Sequence, residues 1–147
     1  MSSNPPSELI VQKLHHVGFV VASIDQSIES FCRSIGGSGW TQTWHDPTQQ
    51  VRVAFIHPVF AGDASIELVE PASDKSPVRR FLDQQGGGLH HLCYEAPDIN
   101  AAIQDAAARG ATILRKPQPA VAFEGRRIAW VFTKEKLLIE YLESERE

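Results

Sequence analysis

Leu14-His15-His16-Val17-Gly18-Phe19 returns 75 residues later as Leu89-His90-His91-Leu92-Cys93-Tyr94, and this doubled phrase decides the fold. A second echo sets Ile66-Glu67-Leu68-Val69-Glu70 against Ile139-Glu140-Tyr141-Leu142-Glu143, at an offset of 73. Two independent echoes at almost one offset mark an internal repeat. Each half opens on a His-His strand and closes on a strand with a glutamate inside it. The two modules span about 13–71 and about 88–143.

The segments between the echoes match as well. Ser23-Ile24-Asp25-Gln26 is a Ser-x-x-Gln capping box that opens a helix. Ile24, Ile28, Phe31, Cys32 and Ile35 fall on one helical face, and Gly36-Gly37 stops it. In the second module Pro97-Asp98 opens a helix carrying Ile99, Ile103 and Ala107, which Gly110 ends. Strand-like runs follow each helix: Val51 to Ile56 and Ala64 to Val69, then Arg127 to Phe132 and Leu137 to Leu142. A linker helix over about 76–85 joins the modules, with Ser76 as cap, Pro77 in its first turn and Gly86-Gly87-Gly88 after it. The pattern predicts an α+β fold of two tandem βαβββ modules in a single domain, residues 1–147.

Composition bounds the function. With 14 basic and 18 acidic residues the formal net charge is −4, which argues against a nucleic-acid surface or a polybasic membrane anchor. No apolar run approaches the length needed to cross a bilayer. The opening MSSNPPSEL lacks the charged and apolar regions of a secretion signal, and Met1–Ser7 and Ser144–Glu147 are expected to fray. Two cysteines outside any CxxC pair exclude a disulfide framework and a cysteine-rich zinc site, and predict a cytoplasmic protein. Gly86-Gly87-Gly88 lacks the context of a phosphate loop and reads as a hinge. Arg79-Arg80, Arg115-Lys116 and Arg126-Arg127 either meet an anionic substrate or form a solvated face.

Strand alternation places His16 with Gly18 and Val20, and His91 with Cys93 and Glu95. It sends His15 and His90 to the opposite face, as packing or supporting groups. Glu67 and Glu140 sit between apolar neighbours, Ile66 and Leu68 in one strand, Ile139 and Tyr141 in the other. An unpaired carboxylate there costs several kcal/mol or shifts its pKa. The plain alternative makes both glutamates solvent-facing edge residues and both histidines hydrogen-bonded core groups. Finding the His and the Glu at matching places in both modules favours another account. His16, Glu67, His91 and Glu140, related by a pseudo-twofold axis, would be compensated together by one divalent cation.

At these four residues the chain resembles the vicinal oxygen chelate superfamily, over nearly its whole length. The stretch IELVEPASDKSPVRRFLDQQGGGLHHLCYEAPDINAAI is similar to methylmalonyl-CoA epimerases within it. The resemblance implies a cupped half-barrel sheet around the metal, a glyoxalase-like fold, with one divalent ion per chain: cobalt, nickel, zinc, manganese or magnesium. It also implies a homodimer, the commonest oligomer, and a small-molecule substrate such as an acyl-CoA.

The expected chemistry is metal-dependent isomerisation or epimerisation through an enolate stabilised by a Lewis acid. Glu140, ahead of Glu67, is the carboxylate expected to double as ligand and base. Family epimerases carry an acidic base in the loop before the third strand. Here that region is Trp44-His45-Asp46-Pro47-Thr48-Gln49-Gln50, and Thr48 aligns with the acidic residue; a loop shift would bring in Asp46 or His45. Two other readings stay open: a glyoxalase I-type lyase or other superfamily enzyme, and a metal-free resistance-type binding protein. Trp40, Trp44 and Trp130 read as core or cleft aromatics.

Overall fold

The computed structural model describes residues 10–145. The readings made for Met1–Ser7, for the opening nine residues and for residues 146–147 lie outside it. Ser144 and Glu145, expected to fray, are tied down: the Ser144 N–H donates to the Ala96 carbonyl at 3.1 Å, and the Glu145 carboxylate lies 3.5 Å from Arg126.

The second module is the βαβββ unit the sequence predicts: β6 (Gly88–Ala96), α3 (Ile99–Ala108), β7 (Thr112–Pro119), β8 (Arg127–Phe132) and β9 (Leu138–Glu143). The first has one strand more: β1 (Lys13–Val20), α1 (Ile24–Ile35), β2 (Gly39–Trp40), β3 (Trp44–Asp46), β4 (Val51–His57) and β5 (Ser65–Pro71). Both β2 and β3 pair with β4, so together they stand where β7 stands in the other module. The break between them falls at Thr41, whose hydroxyl accepts the Phe55 N–H at 3.0 Å and so takes a hydrogen bond out of the ladder.

All nine described strands form one mixed sheet, in the order β2-β4-β5-β1-β6-β9-β8-β7 with β3 beside β4. The modules meet at its centre, where β1 and β6 run antiparallel; β1 is parallel to β5, and β6 to β9. Helices α1 and α3 cover the outer face. Ser23 caps α1, its hydroxyl accepting from the Gln26 N–H, and Gly36 ends the helix at φ 67°, a left-handed conformation that glycine adopts without strain. Ile24, Ile28 and Cys32 of α1 pack on Ile56 and Leu68, while Ile35, expected on that face, is exposed. Ile99, Ala102, Ile103 and Ala106 of α3 pack on Ile139 and Tyr141, and Ala107 is exposed. Burying each isoleucine contributes about 1.5–3 kcal/mol. Helix α2 (Pro77–Gln85) is the predicted linker, capped by Ser76, with Val78 buried against the inner face.

Alternation then gives the inner face Glu67 and Val69 of β5, and Glu140 and Leu142 of β9. No described helix is long and apolar enough to cross a membrane.

Candidate metal centre

The central ladder is irregular at two places, and both shape the site. Lys13–Leu14 pair with Glu95–Tyr94, but the next pair is His16 with Cys93, which leaves His15 as an extra residue. Near the other end Gly18 pairs with His91 and Phe19 with Leu89, leaving His90 as the extra residue. Each is a β-bulge, which re-aims a side chain. The expectation that His15 and His90 face away from the site is therefore corrected. His15 lies edge-on to Phe123 on the inner face with its Nδ1 2.8 Å from Nδ1 of His16, and His90 lines the cavity with its Nδ1 2.9 Å from Nδ1 of His91. Hydrogen bonding at Nδ1 fixes each inner imidazole and turns its Nε2 toward the centre.

Register brings the four predicted residues together in two rows. Glu67, Gly18 and His91 lie side by side across β5, β1 and β6; Glu140, Cys93 and His16 do so across β9, β6 and β1. The middle residue of each row is small, which lets an imidazole lie over it. A Cβ built on Gly18 would stand 2.0 Å from Cε1 of His91. All four side chains are buried, His16 completely. Nε2 of His16 is 3.2 Å from Nε2 of His91, 3.5 Å from Glu67 Oε1 and 3.1 Å from Glu140 Oε1. Nε2 of His91 is 3.2 Å from Glu67 Oε1 and 3.5 Å from Glu140 Oε1.

These separations fit a cation. Ligands at ~2.1 Å from an ion stand about 3.0 Å apart in cis-octahedral and about 3.4 Å apart in tetrahedral geometry. Glu140 Oε1, though 3.1 Å from an imidazole nitrogen, makes no hydrogen bond, as for a lone pair aimed at a shared point rather than at a neighbour. The charges fit too. Burial opposes the charged form of all four, but attraction within the group outweighs it: both imidazoles are held above their usual pKa by the glutamates, and both carboxyls below theirs by the histidines. Two neutral imidazoles and two carboxylates carry a charge of −2 in sum. One divalent ion would balance that charge.

A cavity of about 360 Å³ opens onto the centre. Val51, Val53 and Val69 wall one side, and Trp130 and Leu138 the other. The Trp130 ring stands edge-on to His91, centroids 4.7 Å apart, and its Nε1–H donates to Gln49 Oε1 at 2.9 Å. The amide nitrogen of Gln49 in turn donates to Asp46 at 2.9 Å.

This network settles the loop. Asp46 is buried and its carboxylate accepts the N–H groups of Thr48 and Gln49 as well, so it holds the turn together. His45 is exposed on β3, and Thr48 lines a separate small crevice. Neither they nor Asp46 line the main cavity, which among described residues contains two carboxylates, Glu67 and Glu140. Gln49, Trp130 and Arg115 also line it. Trp130 is one of the expected core or cleft aromatics, and Arg115 one of the basic residues read as meeting an anionic substrate or forming a solvated face. Gln49 carried no such expectation. His90 is neutral near pH 7: burial first, and the adjacent His91 second, push it down to about 4.

A model of the Glyoxalase/Bleomycin resistance protein/Dioxygenase superfamily matches residues 15–130. Glu140 lies beyond that stretch, where the internal repeat and the sheet register place it. The ethylmalonyl-CoA/methylmalonyl-CoA epimerase of Cereibacter sphaeroides is 29% identical over 128 residues, covering 86% of this chain and 92% of that protein. The crystal structure of methylmalonyl-CoA epimerase from Mycobacterium tuberculosis superposes with a TM-score of 0.81 at 25% identity, covering 97% of this chain and 94% of that one. A methylmalonyl-CoA epimerase in complex with methylmalonyl-CoA and NH4+ gives a TM-score of 0.75 at 25% identity, covering 90% and 94%. With its duplicated module, mixed sheet and central His/Glu cluster, the chain belongs to the Glyoxalase/Bleomycin resistance protein/Dioxygenase superfamily, as an epimerase-like enzyme.

Proposed function

We propose that the chain is a metal-dependent epimerase of an acyl-CoA, methylmalonyl-CoA or a close analogue, with His16, Glu67, His91 and Glu140 as ligands of one divalent ion. The observation that carries this reading is the buried quartet, two imidazoles and two carboxylates spaced for cis ligands at the floor of a cavity. The names of the relatives supply the substrate class. When bound, the ion supplies Lewis-acid polarisation of two substrate oxygens, which lowers the cost of taking a proton from the carbon between them.

The chain's own residues do the rest. Valine walls keep water from the reacting carbon and strengthen every charge interaction inside. Glu140 is the proton carrier: its Oε1 is buried, makes no hydrogen bond and lines the cavity. Trp130, held by Gln49, braces the His91 ring. Two copies are expected to pair, covering apolar surface such as Phe60 and Leu89, which are 72% and 71% exposed in the single chain. A reducing cytoplasm suits the two buried free thiols, Cys32 and Cys93.

The test is methylmalonyl-CoA in D₂O with protein loaded in turn with manganese, cobalt, nickel, zinc and magnesium. Deuterium is expected at the carbon between thioester and carboxylate; none with any of these metals overturns the assignment. Light scattering on the same preparation checks the dimer.

A further inference from the structure

Four described arginines are held partly out of water: Arg79, Arg115, Arg126 and Arg127. Three have carboxylate partners, Arg79 with Asp74 at 3.8 Å, Arg126 with Glu95 at 3.1 Å and Arg127 with Glu143 at 2.6 Å. Among the described residues no carboxylate lies within 4.0 Å of Arg115. Its Nε donates to the neutral Gln118 Oε1 at 3.1 Å, which leaves the rest of the guanidinium's donors unengaged by a charge.

The backbone aims this side chain. The β7–β8 ladder shifts register on both sides of Arg115, and Arg115 stands opposite Trp130. Leu114 and Arg115, consecutive residues that regular alternation would send to opposite faces, therefore both line the cavity. Arg115 is the one arginine or lysine among the described residues that line the cavity. A guanidinium kept partly from water without an anion is costly, and its fork of donors matches a two-oxygen anion.

We propose that Arg115 is a specificity-determining residue that binds an anionic oxygen group of the substrate, either a carboxylate on the acyl part or a phosphate of its carrier. The proposal deepens the function given above and rests on it for the substrate class. A cavity of about 360 Å³ takes an acyl group with part of its carrier, so both sources come within reach of its rim.

The experiment is calorimetric binding to metal-loaded wild type, Arg115→Gln and Arg115→Lys, with no turnover required. Ligands are malonyl-CoA, propionyl-CoA and malonyl-N-acetylcysteamine, which has the carboxylate but no phosphate. Arg115→Gln is expected to weaken malonyl-CoA by about 10- to 100-fold, with partial recovery in Arg115→Lys. A loss shared by malonyl-N-acetylcysteamine but not propionyl-CoA identifies the carboxylate; the reverse identifies a phosphate. Equal affinities of wild type and Arg115→Gln for all three ligands overturn the proposal. If wild type binds none of them, the acyl-CoA reading falls instead. Malonate and pyrophosphate then decide Arg115: tighter binding to wild type than to Arg115→Gln supports it, and equal binding overturns it.

Discussion

Replacing Gly18 by alanine tests the centre with a single methyl group. The new Cβ would stand 2.0 Å from Cε1, 2.3 Å from Nδ1 and 2.5 Å from Nε2 of His91. Carbon atoms in contact need about 3.5 Å, so the ring has to retreat by about 1 Å or more. Metal sites tolerate about 0.2 Å. Nε2 of His91 then leaves the group of four, and three donors remain. Losing a mere supporting hydrogen bond costs 10–100-fold in metal affinity; displacing a ligand is expected to cost at least about 100-fold. The metal-free variant pays overpacking of about 1–3 kcal/mol, a fall of roughly 2–10 °C in Tm for a chain of this size. Metal-stripped proteins are titrated calorimetrically with manganese and cobalt, and Tm is read with and without each. Cys93→Ala is the control, because it leaves room under His16 at the equivalent place in the second row. Wild-type metal affinity in Gly18→Ala would refute the packing on which the site is built.

The glutamates should fail differently. Glu140→Gln is expected to keep most of its metal but lose ~10²–10⁴ in exchange rate, while Glu67→Gln is milder; full turnover with full metal in Glu140→Gln removes Glu140 as the proton carrier. The quartet's contribution to the stability of the metal-free protein should be greatest between the ordinary glutamate and histidine values, 4.5 and 6.5. The raised pKa values of His16 and His91 give stability that is lost as pH climbs through them, and the lowered values of Glu67 and Glu140 give stability that is lost as pH falls through them. Urea midpoints from pH 3 to 9 check this, and a profile rising steadily to pH 9 contradicts it. Metal at 100 times its Kd should add about 2.7 kcal/mol, read as a Tm rise that a chelator reverses. Asp46→Ala should loosen the turn and Gln49 at a cost of about 1–3 kcal/mol, seen as a lower Tm with a changed Trp130 environment in near-UV dichroism.

The repeat made the architecture legible, because His16 and His91, and Glu67 and Glu140, recur at matching places and strand alternation puts each glutamate on the inner face. Alternation failed for His15 and His90, since it assumes a regular strand and each is the extra residue of a bulge. The strand over Thr112–Pro119 carried no alternation to read, and its register shifts set Leu114 and Arg115 on the cavity together. The break at Thr41 depends on one hydroxyl replacing a ladder bond, which no periodicity registers. Gln49 and Trp130 are 81 residues apart, and neither carries a local pattern that announces the other. Asp46, which a loop shift would offer as a base, has its oxygens engaged in its own turn, a role that its sequence position alone does not reveal.

The seam between β1 and β6 has a consequence for how the chain matures. Each module owns one histidine and one glutamate of the quartet, and each row of the site crosses the seam, so neither half alone presents more than two donors. A one-residue slip of β6 against β1 would move His91 off Gly18 and His16 off Cys93, and turn both rows out of line. An ion that needs all four donors would therefore load with high affinity only once both halves have docked in the correct register. A cation held by these four residues would act as a proofreader of completed folding, capturing the one alignment that assembles four donors.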